Sequence, residues 1–250
     1  MKVYYLTRKR FFGAGMVFLL IFSFLGLSLV YFNKAGIASN PPEAIYQGNS
    51  GKKIVAITVN VDWGEEFIPL MLKEFEKNKA SVTFFVTGKW AQKNPELLKE
   101  MHNQGHSIQN HGYEHLHFNS LSAEQIAEQI KKADQIIAGI IGKETVYFAP
   151  PYGEFNRQVL TVASDLNYHL IMWSVDTIDW QRPEPSVIEK RVMNKVHNDA
   201  IILMHPTDPT VKALPGLLKS LSQEGYKMVT LNEMLASGGG GNEANDGEEP

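Results

Sequence analysis

His106-Ser107-Ile108-Gln109-Asn110-His111-Gly112-Tyr113-Glu114-His115 is the stretch from which the rest of the chain can be read. Its first half, Ser107–Asn110, is a short β-type run. Its second half carries His111 and His115, four residues apart. Side chains at that spacing share one face of a helical turn, and two imidazoles on one face can grip a single divalent ion. The pair alone suits two ordinary surface histidines equally well. The runs around it shift the balance, because several of them also end on a polar or metal-capable residue.

Those runs are Ile54–Val61, Ser81–Val86, Ser107–Asn110, Thr145–Phe148, His169–Trp173, Ala200–Met204 and Lys227–Thr230. Helical patterns lie between them, over 66–78, 93–104, 122–141, 155–166, 186–197 and 212–224. Strands alternating with helices predict a parallel sheet covered by helices. Seven units suit either a barrel or an open doubly wound sheet, and both place ligands at the carboxyl ends of the strands. The informative residues are therefore Asn60 and Asp62, His111 and His115, Pro150 to Gly153, Asp176 to Trp180, and His205.

Asp62, with His111 and His115, supplies two nitrogens and a carboxylate oxygen, a set that leaves open positions for water and substrate. Zinc suits it; cobalt, nickel, manganese and iron are also compatible. His205 can serve as general acid for a leaving amine, and Asp179 can favour its charged form. Pro150-Pro151-Tyr152-Gly153 is a stiff turn able to aim the Tyr152 backbone N–H at an oxyanion. Trp63, Trp90, Trp173 and Trp180 can stack on sugars or fill a core; Trp180, beside Asp179, is the best placed for a pocket wall.

The ends of the chain are different. Lys2, Arg8, Lys9 and Arg10 precede 22 uncharged residues, Phe11 to Phe32. At about 1.5 Å per residue that run is long enough to cross a bilayer core. The positive flank predicts a cytoplasmic segment at 1–10, a single transmembrane anchor at 11–32, and the remainder outside. A cleaved signal segment is the rival, with secretion as its outcome, although its apolar region would be shorter. Residues 33–51 read as a linker and 237–250 as a flexible acidic tail, which leaves 52–236 as the main domain. The net charge of −3 gives no basic footprint for nucleic acid, and the absence of cysteine excludes disulfides and thiolate ligands.

Residues 52–236 resemble the polysaccharide deacetylase family, the nodulation-type deacetylase domain of carbohydrate esterase family 4. His111-Gly112-Tyr113-Glu114-His115 is similar to its metal-binding His-x-x-x-His motif, Leu203-Met204-His205 to its Leu-x-His motif, and Asp179-Trp180 to its Asp-Trp motif. Phe148-Ala149-Pro150-Pro151-Tyr152-Gly153 resembles a turn usually read Phe-Arg-Pro-Pro-Tyr-Gly, and Asn60-Val61-Asp62 a first motif of the Asp-x-Asp kind. The resemblance implies a distorted (β/α) barrel with about seven parallel strands. It also implies metal-dependent removal of acetyl groups from an N-acetylated polysaccharide such as peptidoglycan or chitin-like oligomers. In it Asp62, His111 and His115 hold the metal, His205 is the acid tuned by Asp179, Tyr152 donates to the oxyanion, and Trp180, Pro151 and Leu203 line the groove.

Two positions depart from the pattern. The base position, Asp in the family, is Asn60, and the Arg that supports it is Ala149. An amide takes no proton from water at neutral pH, which removes general-base help of about 10²–10⁴-fold. Losing carboxylate and guanidinium together avoids a lone buried charge. The expectation is a membrane-anchored deacetylase-like protein with weakened catalysis. The alternatives are an inactive glycan-binding or envelope-assembly protein, and an O-acetyl esterase, whose better leaving group depends less on a base.

Overall fold

The computed structural model describes residues 42–238. The expected cytoplasmic segment, the anchor over 11–32, most of the linker and most of the tail lie outside the described residues. Among the described residues no helix is long and apolar enough to cross a membrane.

Eight parallel strands make one sheet: β1 (Ile54–Val61), β2 (Thr83–Val86), β3 (Ser107–Asn110), β4 (Tyr147–Phe148), β5 (His169–Leu170), β6 (Val175–Asp176), β7 (Ala200–Met204) and β8 (Lys227–Val229). Their order is β5-β4-β3-β2-β1-β7-β6. β1 is the centre. Its first half pairs with β8, Ile54 opposite Lys227, and its second half with β2, Thr58 opposite Thr83; β7 runs along its other side.

The helices are α1 (Ile68–Lys77), α2 (Gly88–Lys93), α3 (Pro95–Asn103), α4 (Ala123–Ile141), α5 (Arg157–Asp165), α6 (Pro185–Met193), α7 (Asp208–Gln223) and α8 (Leu231–Gly238). The sequence reading missed α2 and α8, which are short, and β6, which has two residues. It extended β5 to Trp173, whereas Ile171 and Met172 pair with the incoming chain instead. Ile45 donates to the Leu170 carbonyl and accepts from Met172, at 2.9 and 2.8 Å, and Gln47 bridges to Ala200. The last part of the stretch read as linker thus spans the seam of a distorted barrel. Asp199 fastens it, accepting from Ser50 Oγ at 2.5 Å and from the Gly51 N–H at 2.6 Å.

Alternation along β1 divides the core. Val55, Ile57, Val59 and Val61 pack outward with Met71, Leu72 and Phe75 of α1 and with Leu214, Leu217, Leu218 and Leu221 of α7. Ile54 and Ala56 face the barrel interior, where Leu231 and Met234 of α8 join Phe85 and Ile201. Continuing up that inner face come Thr58, Asn60 and Asp62, since residues two apart share a side. The interior is apolar at its amino end and polar at its carboxyl end, and that gradient locates the site.

Candidate active site

The candidates from the sequence gather at the carboxyl ends of the strands, with Asn60 near the end of β1 and Leu203 near the end of β7. Asp62 follows β1, His111 follows β3, Ala149 follows β4, Asp179 lies beyond β6, and His205 follows β7. His111 and His115 do not share a helical turn as their spacing suggested. Gly112 adopts φ +76° and His115 φ +48°, so the chain after β3 coils as an irregular loop. The loop still brings the rings together, with centroids 5.1 Å apart.

Each ring is held in a definite way. His111 is buried and its Nδ1 lies 2.7 Å from the Ala149 carbonyl oxygen. A carbonyl can only accept, so Nδ1 carries the proton and Nε2 presents its lone pair. Burial first, then the neighbouring His115, pushes the His111 pKa down to about 3, opposed by the bond to Ala149. His115 is lowered too, chiefly by burial, with the Asp62 charge working the other way. Asp62 Oδ1 accepts a hydrogen bond from Thr87 Oγ1 at 2.8 Å. Thr87 also caps α2, accepting from the Trp90 N–H at 3.3 Å.

His205 and Asp179 form a second unit. His205 Nδ1 lies 2.8 Å from Asp179 Oδ1, and the His205 backbone N–H donates to Oδ2 at 2.7 Å. Thr210 Oγ1, in the first turn of α7, donates to the same oxygen at 2.6 Å. This fully buried carboxylate, holding three donors on its two oxygens, fixes the direction of the imidazole.

Asn60 is 7% exposed, and its Oδ1 has no hydrogen-bond partner. Ala149, also buried, shares the interior cluster. Around the mouth three aromatics are open to solvent: Trp63 at 40%, Trp180 at 54% and Tyr152 at 56%. The Trp63 ring runs parallel to His205, centroids 6.4 Å apart. Tyr152 has φ +59° and its ring lies between His115 and His117, 4.5 and 4.0 Å away. Pro151 and Leu203 are buried beneath this rim, Trp90 is core, and Trp173 is half-buried.

No three His, Asp or Glu side chains among the described residues stand as a closed metal-ligand set. The donor chemistry nevertheless fits a divalent ion, because His111 Nε2 presents a lone pair, Asp62 keeps one carboxylate oxygen outside its bond to Thr87, and the His115 ring adjoins His111.

A family model described as polysaccharide deacetylase matches residues 47–171. The chain belongs to the polysaccharide deacetylase family. The uncharacterized protein YlxY of Bacillus subtilis is 42% identical over 199 residues, 80% of this chain and 62% of that protein's length. A Bacillus cereus peptidoglycan-N-acetylglucosamine deacetylase is 31% identical over 195 residues, covering 76% of this chain and 71% of the enzyme. Among solved structures, a carbohydrate esterase family 4 pseudoenzyme from Bacillus anthracis is 40% identical, with a TM-score of 0.76 over 78% of this chain and 69% of that one. A mutant of that pseudoenzyme has restored enzymatic activity and is equally similar in structure, at a TM-score of 0.76.

Sequence reasoning missed Thr87 and Thr210 as supports of this site. Thr87 was within reach, because it follows a strand end directly. Thr210 sits on a helix, where no local signal marks it.

Proposed function

We propose that this chain is a divergent, metal-binding polysaccharide deacetylase-like protein of the cell envelope. It holds an N-acetylated glycan such as peptidoglycan, and its hydrolytic power is weak. The observation that carries this reading is the buried Asn60 amide at the base position, beside an intact Asp179–His205 pair. Residues 11–32 would anchor it with the main domain outside the cytoplasm, where such glycans are met.

Asp62, His111 and His115 would hold the divalent ion, with zinc the first choice and cobalt, nickel or manganese compatible. That ion would polarise an acetyl carbonyl and acidify water. His205, its Nδ1–H directed at Asp179, turns Nε2 outward as donor to a leaving amine. The Gly153 and Glu154 amides already donate to Pro150 and Pro151, so the Tyr152 N–H is the donor that this turn can offer an oxyanion. Trp180 and Trp63 give flat apolar faces to a sugar, with Pro151 and Leu203 packed below. Asn60 can hydrogen-bond a ligand but removes no proton from water.

The test is acetate release by the full-length chain loaded with zinc or cobalt, on N-acetylglucosamine oligomers and on peptidoglycan. The expectation is little turnover by the native protein and a gain of about 10²-fold or more in Asn60→Asp, larger with Ala149→Arg added. The restored activity of a mutant Bacillus anthracis pseudoenzyme supports this direction. Rapid turnover by the native protein, or no gain in either variant, would overturn the proposal. An O-acetylated substrate in the same assay separates the esterase alternative.

A further inference from the structure

The loop that carries His115 takes its shape from neighbours outside the motif. On one side the start of α2 donates to it: the Gly88 N–H to the Gly112 carbonyl at 2.9 Å, and the Lys89 N–H to the Tyr113 carbonyl at 3.0 Å. On the other side stands α4. A single oxygen, Gln129 Oε1, accepts the N–H groups of both Tyr113, at 3.1 Å, and Glu114, at 2.9 Å. One turn along the same helix, Lys132 Nζ lies 3.7 Å from the centre of the Tyr113 ring. Asn110 ties the loop's root to α4 as well, donating to the Ile130 carbonyl at 2.8 Å while its Oδ1 accepts from the Gly112 N–H. The two helices approach closely enough because residue 88 is glycine: a Cβ there would lie 2.8 Å from Ala133 Cα and 2.9 Å from the Tyr113 ring.

We infer that Gln129 is a positioning residue for the His111–His115 pair, its carbonyl oxygen holding the loop in the one shape that turns His115 toward His111. This rests on the reading that these histidines ligate a divalent ion. The physical reason is that His115 occupies a left-handed conformation that a non-glycine residue adopts only when its surroundings impose it. An amide oxygen has two lone pairs and can accept both backbone donors. Remove it, and the half-buried Tyr113 N–H and the exposed Glu114 N–H lose their shared acceptor together, so the loop relaxes toward water and carries His115 away. Gln129 lies 14 residues from His115 on a separate element. Its action is on ligand geometry and not on the reacting atoms.

The test compares the full-length chain with its Gln129→Leu, Gln129→Asn and Gln129→Glu variants. Cobalt affinity is measured by competition with a chromophoric chelator, and thermal unfolding is followed without metal. Losing an outer-shell support of a ligand weakens metal binding by about 10–100-fold, which is the loss expected for Leu and for the shorter Asn arm. Glu keeps acceptor oxygens at the same reach and restores most of the affinity. Native affinity in the Leu and Asn variants overturns the inference. So does a Glu variant that binds as poorly as Leu, since that would mark a general structural role. If the Leu variant does not fold, the Asn and Glu pair decides. Failure of the native protein to bind cobalt overturns the metal reading itself and this inference with it, an outcome distinct from metal binding that ignores residue 129.

Discussion

His106 opens the stretch that holds the metal-ligand candidates, yet it belongs to the core. It is buried, with Phe75 and Phe84 ring centroids 5.7 and 5.4 Å away, and its Nδ1 accepts the Val82 N–H at 3.3 Å. Burial pushes its pKa from 6.5 down to about 4. The folded state therefore keeps the ring neutral where the unfolded chain would protonate it. The stabilisation is full above pH 6.5 and is lost as pH falls from there toward about 4, at a cost of roughly 3 kcal/mol. His111 moves the same way, so the contribution is isolated by difference: His106→Asn keeps an acceptor near Nδ1 and should show a shallower loss of stability by denaturant titration across that window. An unchanged slope would remove His106 from the acid response. At this scale much of the site was legible, because a polar residue just past an apolar run reads directly as a strand-end group. Asp62, His111 and His205 were placed at strand ends that way, whereas Asp179 lies beyond the two-residue β6 that the sequence reading missed. The role of Ala149 was only half legible. Its place just after a short apolar run was readable, but its carbonyl, which sets the His111 tautomer, could not be seen in a residue name.

Helix α4 shows what becomes visible only with elements in place. Its start is secured by a capping box, with Ser122 Oγ accepting from the Gln125 N–H at 3.3 Å and Gln125 Oε1 accepting from the Ser122 N–H at 2.9 Å. Gly142 ends it at φ +71°. Those boundaries were readable, and the expected span of 122–141 agrees with the helix to within one residue. Ser122→Ala should lower stability by about 1 kcal/mol. It should leave cobalt affinity at the native value, because the cap is separated from Gln129 by a full turn of intact helix. A matching fall in affinity would mean that the whole helix, and not one side chain, sets the loop. The helical reading of His111 and His115 failed for a related reason. Spacing of four is neutral between a helix and a loop, and what decided the matter was Gly112, the donors from α2 and the acceptors from α4, none of them encoded in the spacing. β4 is similarly short because Gln109 Oε1 accepts from the Val146 and Tyr147 N–H groups, at 3.0 and 2.9 Å, where a strand backbone would otherwise pair.

For the whole molecule, strand–helix alternation predicted a parallel sheet but left barrel and open sheet unresolved; the family resemblance pointed to a barrel. The seam explains why spacing alone was mute: it is bridged by residues 45–47, which carry turn-forming neighbours and no strand pattern. Asp199, buried and at φ +62°, holds the following residues through Ser50 and Gly51, and Asn198 Nδ2 donates to the Gly51 carbonyl at 2.8 Å. Asp199→Ala should lower the thermal midpoint and speed protease cutting between residues 43 and 51, while the Asp179–His205 pair at the opposite end of β7 is undisturbed. A native cutting rate would show that the bridge holds without it. The same arrangement has a mechanical consequence. A chain drawn by its amino-terminal end would load the Ile45 bonds, the bond from the Gly48 N–H to the Asp199 carbonyl at 2.9 Å and the Asp199 side-chain clamp before any tension reached β1. The seam would act as a fuse, yielding first and leaving the pocket at the far rim unstretched.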